Sequence, residues 1–383
     1  MTNIELKEQL QKEAEKAHIE FGKKSMICAG VGSGKSVIAI NRIKTYLKDK
    51  KHPRIIFSGA RELYLSTFKQ ELKKWHLEDQ IKNIEFCCVA SLKNHTKKEW
   101  DLIIIDEAHL DVERILSFLH FYKNKKTEIL LLTGTPISEV GDIGKELYKI
   151  CPISYRKSLD DSISDTIVND YRIRIIYHSL NDEDKYIKYG NFFQSEKNKY
   201  NFLYKCYVNS FNAGRKKFPF ELMQLKQFFK SLKSKENAAK LLLSKINGKV
   251  LLYAGNIEQC DKMGTFCYHS GMKKPDREKN LEDFINGEIN VLYNVNGIRE
   301  SANIPNLKYG LIMAPDASPN AFEQIIGRFS RLLIGEIADV VVLCAKNTIE
   351  EQWLNGAIRK LDRNKISKIN LEEIEILYKQ TNN

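Results

Sequence analysis

Two α/β domains with parallel sheets, in tandem and separated by a mostly helical insertion, are predicted by three observations. Short apolar runs alternate with amphipathic stretches from Lys24 to about Ile150, residues 151–247 break that alternation, and it resumes near Gly248. Near-continuous apolar runs suit strands covered on both faces, and the amphipathic stretches supply the covering helices. A chain of 383 residues is also too long for one compact core.

In the first domain, residues 1–150, strands are expected at Ser25–Cys28, Arg54–Ser58, Ile84–Val89, Leu102–Ile105 and Glu128–Thr133. Helical patterns between them include Arg61–Trp75 and Leu110–Tyr122. The insertion, residues 151–247, reads as one strand at Tyr171–Ser179 and otherwise as helix. It is dense in lysine and aromatics, including Tyr186, Phe192, Phe193, Tyr200, Phe220, Phe228 and Phe229. Such a mixture could stack bases, but packing a helical core is the commoner use of aromatics and is the expectation here. The last domain, residues 248–383, offers strands at Val250–Tyr253, Thr265–Tyr268, Asn290–Tyr293, Tyr309–Met313 and Val340–Cys344. Helices fit at Pro275–Asn286 and Asn320–Arg328, and a long C-terminal helix is expected over much of Thr348–Lys379.

Lys and Arg outnumber Asp and Glu by 61 to 49, a net charge of +12. That surplus fits a polyanionic partner, nucleic acid ahead of an anionic membrane surface, although a lysine-rich surface serving solubility gives the same sum. No apolar run reaches bilayer length, and the start has neither the basic nor the apolar region of a secretion signal. None of the eight cysteines forms a C-x-x-C pair. They read as reduced, buried, small hydrophobes of a cytoplasmic protein, in a bacterium or a phage-infected host, and no zinc constellation stands out.

Ala29-Gly30-Val31-Gly32-Ser33-Gly34-Lys35-Ser36 follows an apolar strand and opens the helical pattern Val37–Leu47. This is the context of a phosphate-binding loop. Gly30, Gly32, Ser33 and Gly34 let backbone N–H groups turn inward, and the helix end adds its positive dipole. Lys35 would reach the β- and γ-phosphates, and the Ser36 hydroxyl would ligate Mg2+. Asp106-Glu107-Ala108-His109 ends the run Leu102–Ile105, so a parallel strand delivers it to the same crevice. Asp106 is the hard oxygen ligand that Mg2+ needs, and Glu107 is placed to orient and deprotonate an attacking water.

With these motifs the chain resembles the superfamily-2 helicases of the DEAH type, including their A-x-x-G-x-G-K-S loop. Further motifs follow in family order. Ser58-Gly59-Ala60-Arg61 resembles motif Ia, Ala90-Ser91-Leu92 motif Ib, and Thr133-Gly134-Thr135-Pro136 motif III. Val250–Gly255 resembles motif IV, and Tyr268-His269-Ser270-Gly271 the segment after it. Gln324-Ile325-Ile326-Gly327-Arg328-Phe329-Ser330-Arg331 fits the motif VI pattern Q-x-x-G-R-x-x-R in full. Gln9 or Gln11 falls where many relatives place an adenine-reading glutamine. Motif V departs: the family's E-G-x-D-I-P is here Glu300-Ser301-Ala302-Asn303-Ile304-Pro305, without the Gly and Asp of the expected ribose contact.

The resemblance implies two RecA-like domains with ATP and Mg2+ at the cleft between them. It assigns Gln324, Arg328 and Arg331 to the γ-phosphate side, with Arg331 as the arginine finger. Planar cations supplied there neutralise charge that develops in the transition state. The T-G-T-P form, the run Tyr155–Tyr171 and the compact length place the chain nearest to phage-type branch-migration and recombination helicases and to restriction-type motor subunits. The implied activity is that of a monomeric DNA-dependent ATPase that unwinds or remodels duplex or branched DNA. An RNA helicase and an ATP-gated clamp that separates no strands are the alternatives, because the motor motifs read backbone and shape.

Overall fold

The computed structural model describes residues 3–30, 32–59, 62–134, 141–165, 167–213, 220–295, 304, 306–315, 318–329 and 335–374. The chain forms two compact units that divide between Asn169 and Asp170.

The strands of the first unit are β1 (Lys24–Ala29), β2 (Ile55–Gly59), β3 (Ile84–Cys88), β4 (Leu102–Ile105), β5 (Glu128–Thr133) and β6 (Ile153–Lys157). They form one parallel sheet in the order β3-β2-β4-β5-β1-β6. Its helices are α1 (Asn3–Glu20), α2 (Lys35–Asp49), α3 (Glu62–Lys74), α4 (Val112–Leu119), α5 (Gly141–Ile150) and the short α6 (Leu159–Ser164). Successive strand residues point to opposite faces, and both faces are dry. Met26, Ile56, Ile103, Ile105, Ile129 and Leu131 feed one core with α4. Ile27, Phe57, Leu102, Ile104, Leu130 and Leu132 feed the other, with α2 and α3. This double coverage is why the runs read as continuously apolar.

A buried ion cluster ties the amino-terminal ends of these strands together. Arg42 clasps Glu128 bidentately, Nε to Oε1 at 2.8 Å and Nη2 to Oε2 at 2.9 Å. His18 lies 3.2 Å from Glu128 through Nε2 and 2.7 Å from Ser25 through Nδ1, and the Tyr46 hydroxyl donates to Glu128 at 3.0 Å. Burial alone would raise the Glu128 carboxyl. The hydrogen bonds from His18 and Arg42 outweigh it and hold the group at about 2.

The second unit opens with β7 (Asp170–His178), a hairpin of β8 (Ile187–Tyr189) and β9 (Phe192–Gln194), and the helices α7 (Glu196–Asn212), α8 (Phe220–Phe229) and α9 (Lys233–Leu243). There follow β10 (Val250–Tyr253), α10 (Ile257–Met263), β11 (Cys267–Tyr268), α11 (Lys274–Asn286), β12 (Val291–Asn294) and β13 (Tyr309–Ile312). The unit continues with α12 (Pro319–Phe329), β14 (Ile337–Ala345), α13 (Ile349–Ala357) and β15 (Ile366–Asn370). Seven of these strands form a second parallel sheet, in the order β11-β12-β10-β13-β14-β7-β15. β7 thus precedes the helices in sequence yet pairs with β14 along its whole length, Asp170 opposite Ile337 through His178 opposite Ala345.

The single long helix expected over Thr348–Lys379 does not form. α13 ends at Ala357, the Asp362 carboxylate accepts from Asn364 N at 2.9 Å, and Ile366–Asn370 runs as β15 along β7. An open ladder on β7 offers backbone partners that a helical pattern in one segment cannot reveal, and the tertiary pairing wins. The aromatics of the insertion divide. Tyr200, Phe228 and Phe229 pack with Leu203, Leu225 and Ile349, as a core reading requires, whereas Phe192 and Phe220 are 76% and 68% exposed. Among the described residues no helix is long and apolar enough to cross a membrane.

Candidate nucleotide site in the first unit

The site forms at the carboxyl ends of β1, β4 and β5. The loop after β1 turns on Gly32 at φ 87° and Gly34 at φ 86°, left-handed values that glycine adopts without a Cβ penalty. Side chains would not fit there either. A Cβ on Gly32 would stand 2.8 Å from Val168 Cγ1, and one on Gly34 would collide with the Gln11 amide. The Ser33 hydroxyl donates to Gly30 O at 2.8 Å, and Gly30 N donates to Lys157 O at 3.0 Å, anchoring the loop to β6. α2 then starts at Lys35, whose Nζ donates to Ala29 O at 3.0 Å. Val31 lies outside the described residues.

Two strands away, Asp106 N donates to Ser58 O at 2.9 Å and Ala108 N to Leu132 O at 3.0 Å. These bonds fix the loop after β4 against both neighbouring strands. Asp106 is fully buried, and its carboxyl is pushed up to about 6, first by burial and then by the charge of Glu107, against the opposing pull of Lys35. The Tyr64 hydroxyl donates to Asp106 Oδ2 and also hydrogen-bonds the Ser36 side chain. One phenol thereby bridges the two expected Mg2+ ligands. Burial, and then the carboxylates beside it, push that phenol well above its ordinary range. Glu107 sits at φ 52°, a conformation that costs a non-glycine residue about 1–2 kcal/mol and that clusters at functional positions. Its Oε2 is buried without a hydrogen-bond partner, 3.4 Å from His109 Nδ1. His109 Nδ1 in turn lies 2.9 Å from the Thr133 hydroxyl, and burial lowers the imidazole below its ordinary value. Gly134 follows, with room for a Cβ at 3.6 Å from Lys35 Nζ.

The structure therefore brings Gly30, Gly32, Ser33, Gly34, Lys35, Ser36, Asp106 and Glu107 into one crevice. Tyr64 and the His109–Thr133 contact escaped the sequence reading, since a tyrosine in the first turn of α3 carries no signal until the sheet order is known. Of the two candidate glutamines, Gln9 is exposed and bonds Glu13 at 2.8 Å, while Gln11 is buried against Gly34. In the second unit Gln324 and Arg328 are one turn apart on α12. That helix seats on β13 through Phe329, whose ring would collide with any Cβ on Gly310. Arg331, Ala60, Arg61, Thr135, Pro136 and residues 300–303 and 305 lie outside the described residues.

The site fits a magnesium–nucleoside triphosphate. A cradle that excludes side chains, a buried carboxylate with a raised pKa beside a lysine, and a carboxylate oxygen without a hydrogen bond are what an anion with a hard divalent cation would satisfy.

Residues 23–135 match the family described as Schlafen group 3, DNA/RNA helicase domain, and residues 233–332 match the helicase conserved C-terminal domain. A protein of the Sulfolobus islandicus filamentous virus (isolate Iceland/Hveragerdi) that bears the name helicase 22 is 26% identical over 346 residues, covering 80% of this chain. The chain spans 58% of that relative's length. Among solved structures, the restriction-modification enzyme LlaBIII bound to DNA superposes with a TM-score of 0.61 at 12% identity, covering 94% of this chain and 31% of its own. A variant of Saccharomyces cerevisiae Dbp5 bound to RNA and ADP BeF3 gives 0.60 at 13% identity, covering 97% and 93%. These likenesses give the fold, two RecA-like domains in tandem. The two family matches, in order along the chain, are both to helicase domains and support a nucleic-acid helicase.

Proposed function

We propose that this chain is a nucleic-acid-stimulated ATPase that uses ATP and Mg2+ to unwind or remodel duplex or branched DNA. The observation that carries the reading is the convergence of Lys35, Ser36, Asp106 and Glu107 at the ends of β1 and β4, with Tyr64 bridging Ser36 to Asp106. Lys35 and the N–H groups of Gly32 to Ser36 bind the phosphates, and Ser36 and Asp106 hold the metal. The bound Mg2+ supplies charge neutralisation on the transferring phosphoryl group. Glu107, held in a strained backbone, orients the attacking water and takes its proton. By their motif, not by any placement, Gln324, Arg328 and Arg331 are proposed to supply the remaining polar and positive groups at the γ-phosphate.

The DNA assignment, the affinity to phage-type recombination helicases and the monomeric state are part of the same proposal. The net charge of +12 suits a phosphate track. Relatives bound to DNA and to RNA share the fold, so the nucleic acid is the finer question. ATP turnover with single-stranded DNA, duplex, forked DNA and RNA as activators tests it. DNA should stimulate, Lys35→Ala should leave no more than about a few per cent of the rate given the large factors such groups supply, and affinity for DNA should fall linearly on a log–log salt plot. Stimulation by RNA alone would move the substrate. Hydrolysis with no strand separation on any fork would favour the clamp.

A further inference from the structure

Far in sequence from the nucleotide loop, at the β11 edge of the second sheet, three soft ligands meet. Among the described residues, Cys260, Cys267 and His269 offer donor atoms that all lie within 4.8 Å of one another. Cys260 is in α10, Cys267 in β11, and His269 directly follows that strand. All are inside the fold, at 0%, 3% and 4% exposure. Asp261 approaches from the solvent side, its Oδ1 2.8 Å from His269 Nε2. His269 Nδ1 accepts from Gly271 N at 3.2 Å.

We propose that Cys260, Cys267, His269 and Asp261 form a zinc site that staples α10 to the edge strand β11. Thiolate and imidazole donors select zinc over the hard Mg2+ of the nucleotide site. In a tetrahedral zinc site such donors stand about 3.5–3.8 Å apart, so the three inner ligands need only a small inward shift. Asp261, whose carboxylate already reaches His269, takes the fourth corner. Each thiol gives up its proton to solvent on binding, and His269 gives up one ring hydrogen-bond partner to the metal. The staple has structural work to do there, because β11 is two residues long and, among the described residues, pairs with β12 alone. It would fix the chain entering Ser270-Gly271 before α11.

The alternative is an ordinary pair of reduced thiols, Cys267 Sγ donating to Gly264 O at 3.1 Å and to Cys260 O at 3.4 Å. Titration of the full-length, chelator-stripped chain with Co2+, followed by displacement with Zn2+, separates the two. One equivalent of Co2+ should give thiolate charge-transfer and tetrahedral d–d absorption that Zn2+ abolishes, and Zn2+ should raise the melting temperature. Cys267→Ser should lose the charge-transfer band, and Cys87→Ser should keep it. Asp261→Asn changes an exposed side chain and should fold normally. It should bind Co2+ at least about tenfold more weakly, since even outer-shell partners of a metal ligand cost 10- to 100-fold in affinity. A wild-type chain with no charge-transfer band overturns the site. So does a band that survives the Cys260→Ser, Cys267→Ser double variant, or a chain found two hydrogens lighter with the pair closed as a disulfide.

Discussion

The two ends of the first sheet hold buried carboxylates in opposite conditions. At the amino-terminal end Glu128 is saturated: Arg42, His18 and Tyr46 all turn to it, and its pKa is pulled down to about 2. At the carboxyl end Asp106 is pushed up to about 6, and Glu107 keeps an oxygen without a hydrogen bond on a left-handed backbone. One end is a finished structural joint. The other stores unmet electrostatic demand, the condition expected where a cation and a reacting water are to be received.

The largest effect should come from that second end. Glu107→Gln should cut ATP turnover by about 10^2–10^4-fold, the range for a general base, while the melting temperature stays level or rises. Arg331→Ala should lower the hydrolysis rate by about three orders of magnitude with ATP binding nearly unchanged. The two variants should differ in grip: with ATP present Glu107→Gln should hold DNA tightly and Arg331→Ala weakly. Equal DNA affinity in both would remove Arg331 from the nucleotide site.

Glu128→Gln should reverse the pattern. Breaking one partner out of a buried ion pair costs about 3–5 kcal/mol, so the melting temperature of the first unit should drop by several degrees while turnover per folded molecule is kept. A loss of turnover without a loss of stability would dissolve the contrast between the two ends. Acidity offers a narrower test of the same joint. A carboxylate depressed on folding stabilises fully above its unfolded pKa and loses that contribution as pH falls through the folded value. The stability advantage of wild type over Glu128→Gln, measured by denaturant titration, should therefore shrink from about pH 4.5 downward and be nearly gone near pH 2.

The smallest effect belongs to Tyr64. Tyr64→Phe removes the bridge between Ser36 and Asp106 but neither metal ligand. Loss of one hydrogen bond to a charged group, about 1.5–3 kcal/mol, should appear as a raised Mg2+ requirement and about a tenfold loss in kcat/KM. An unchanged Mg2+ dependence would make the tyrosine a packing residue only.

What the sequence disclosed follows from how local each signal is. The glycine loop, the apolar strands and the DEAH tetrad are contiguous, and their chemistry depends on spacing within a few residues. Tyr64 becomes meaningful only when β2 is seen beside β4, and Cys260 and His269 only when the α10–β11 turn folds back. β15 was hidden for the same reason: its partner, β7, lies nearly two hundred residues earlier. Phe192, in the β8–β9 hairpin, is exposed while Phe228, in α8, is buried, a division set by tertiary packing that composition cannot resolve.

The placement of β7 bears on how the protein can be divided. A fragment begun at residue 248, where the alternating pattern resumes, would keep β14 and β15 but discard the strand that joins them, leaving nine residues of unpaired backbone along β14. Such a fragment invites edge-to-edge self-association. An independently folding second half must begin by residue 170 and retain Ile366–Asn370, so its two outermost pieces of chain are partners that no cut between them can respect.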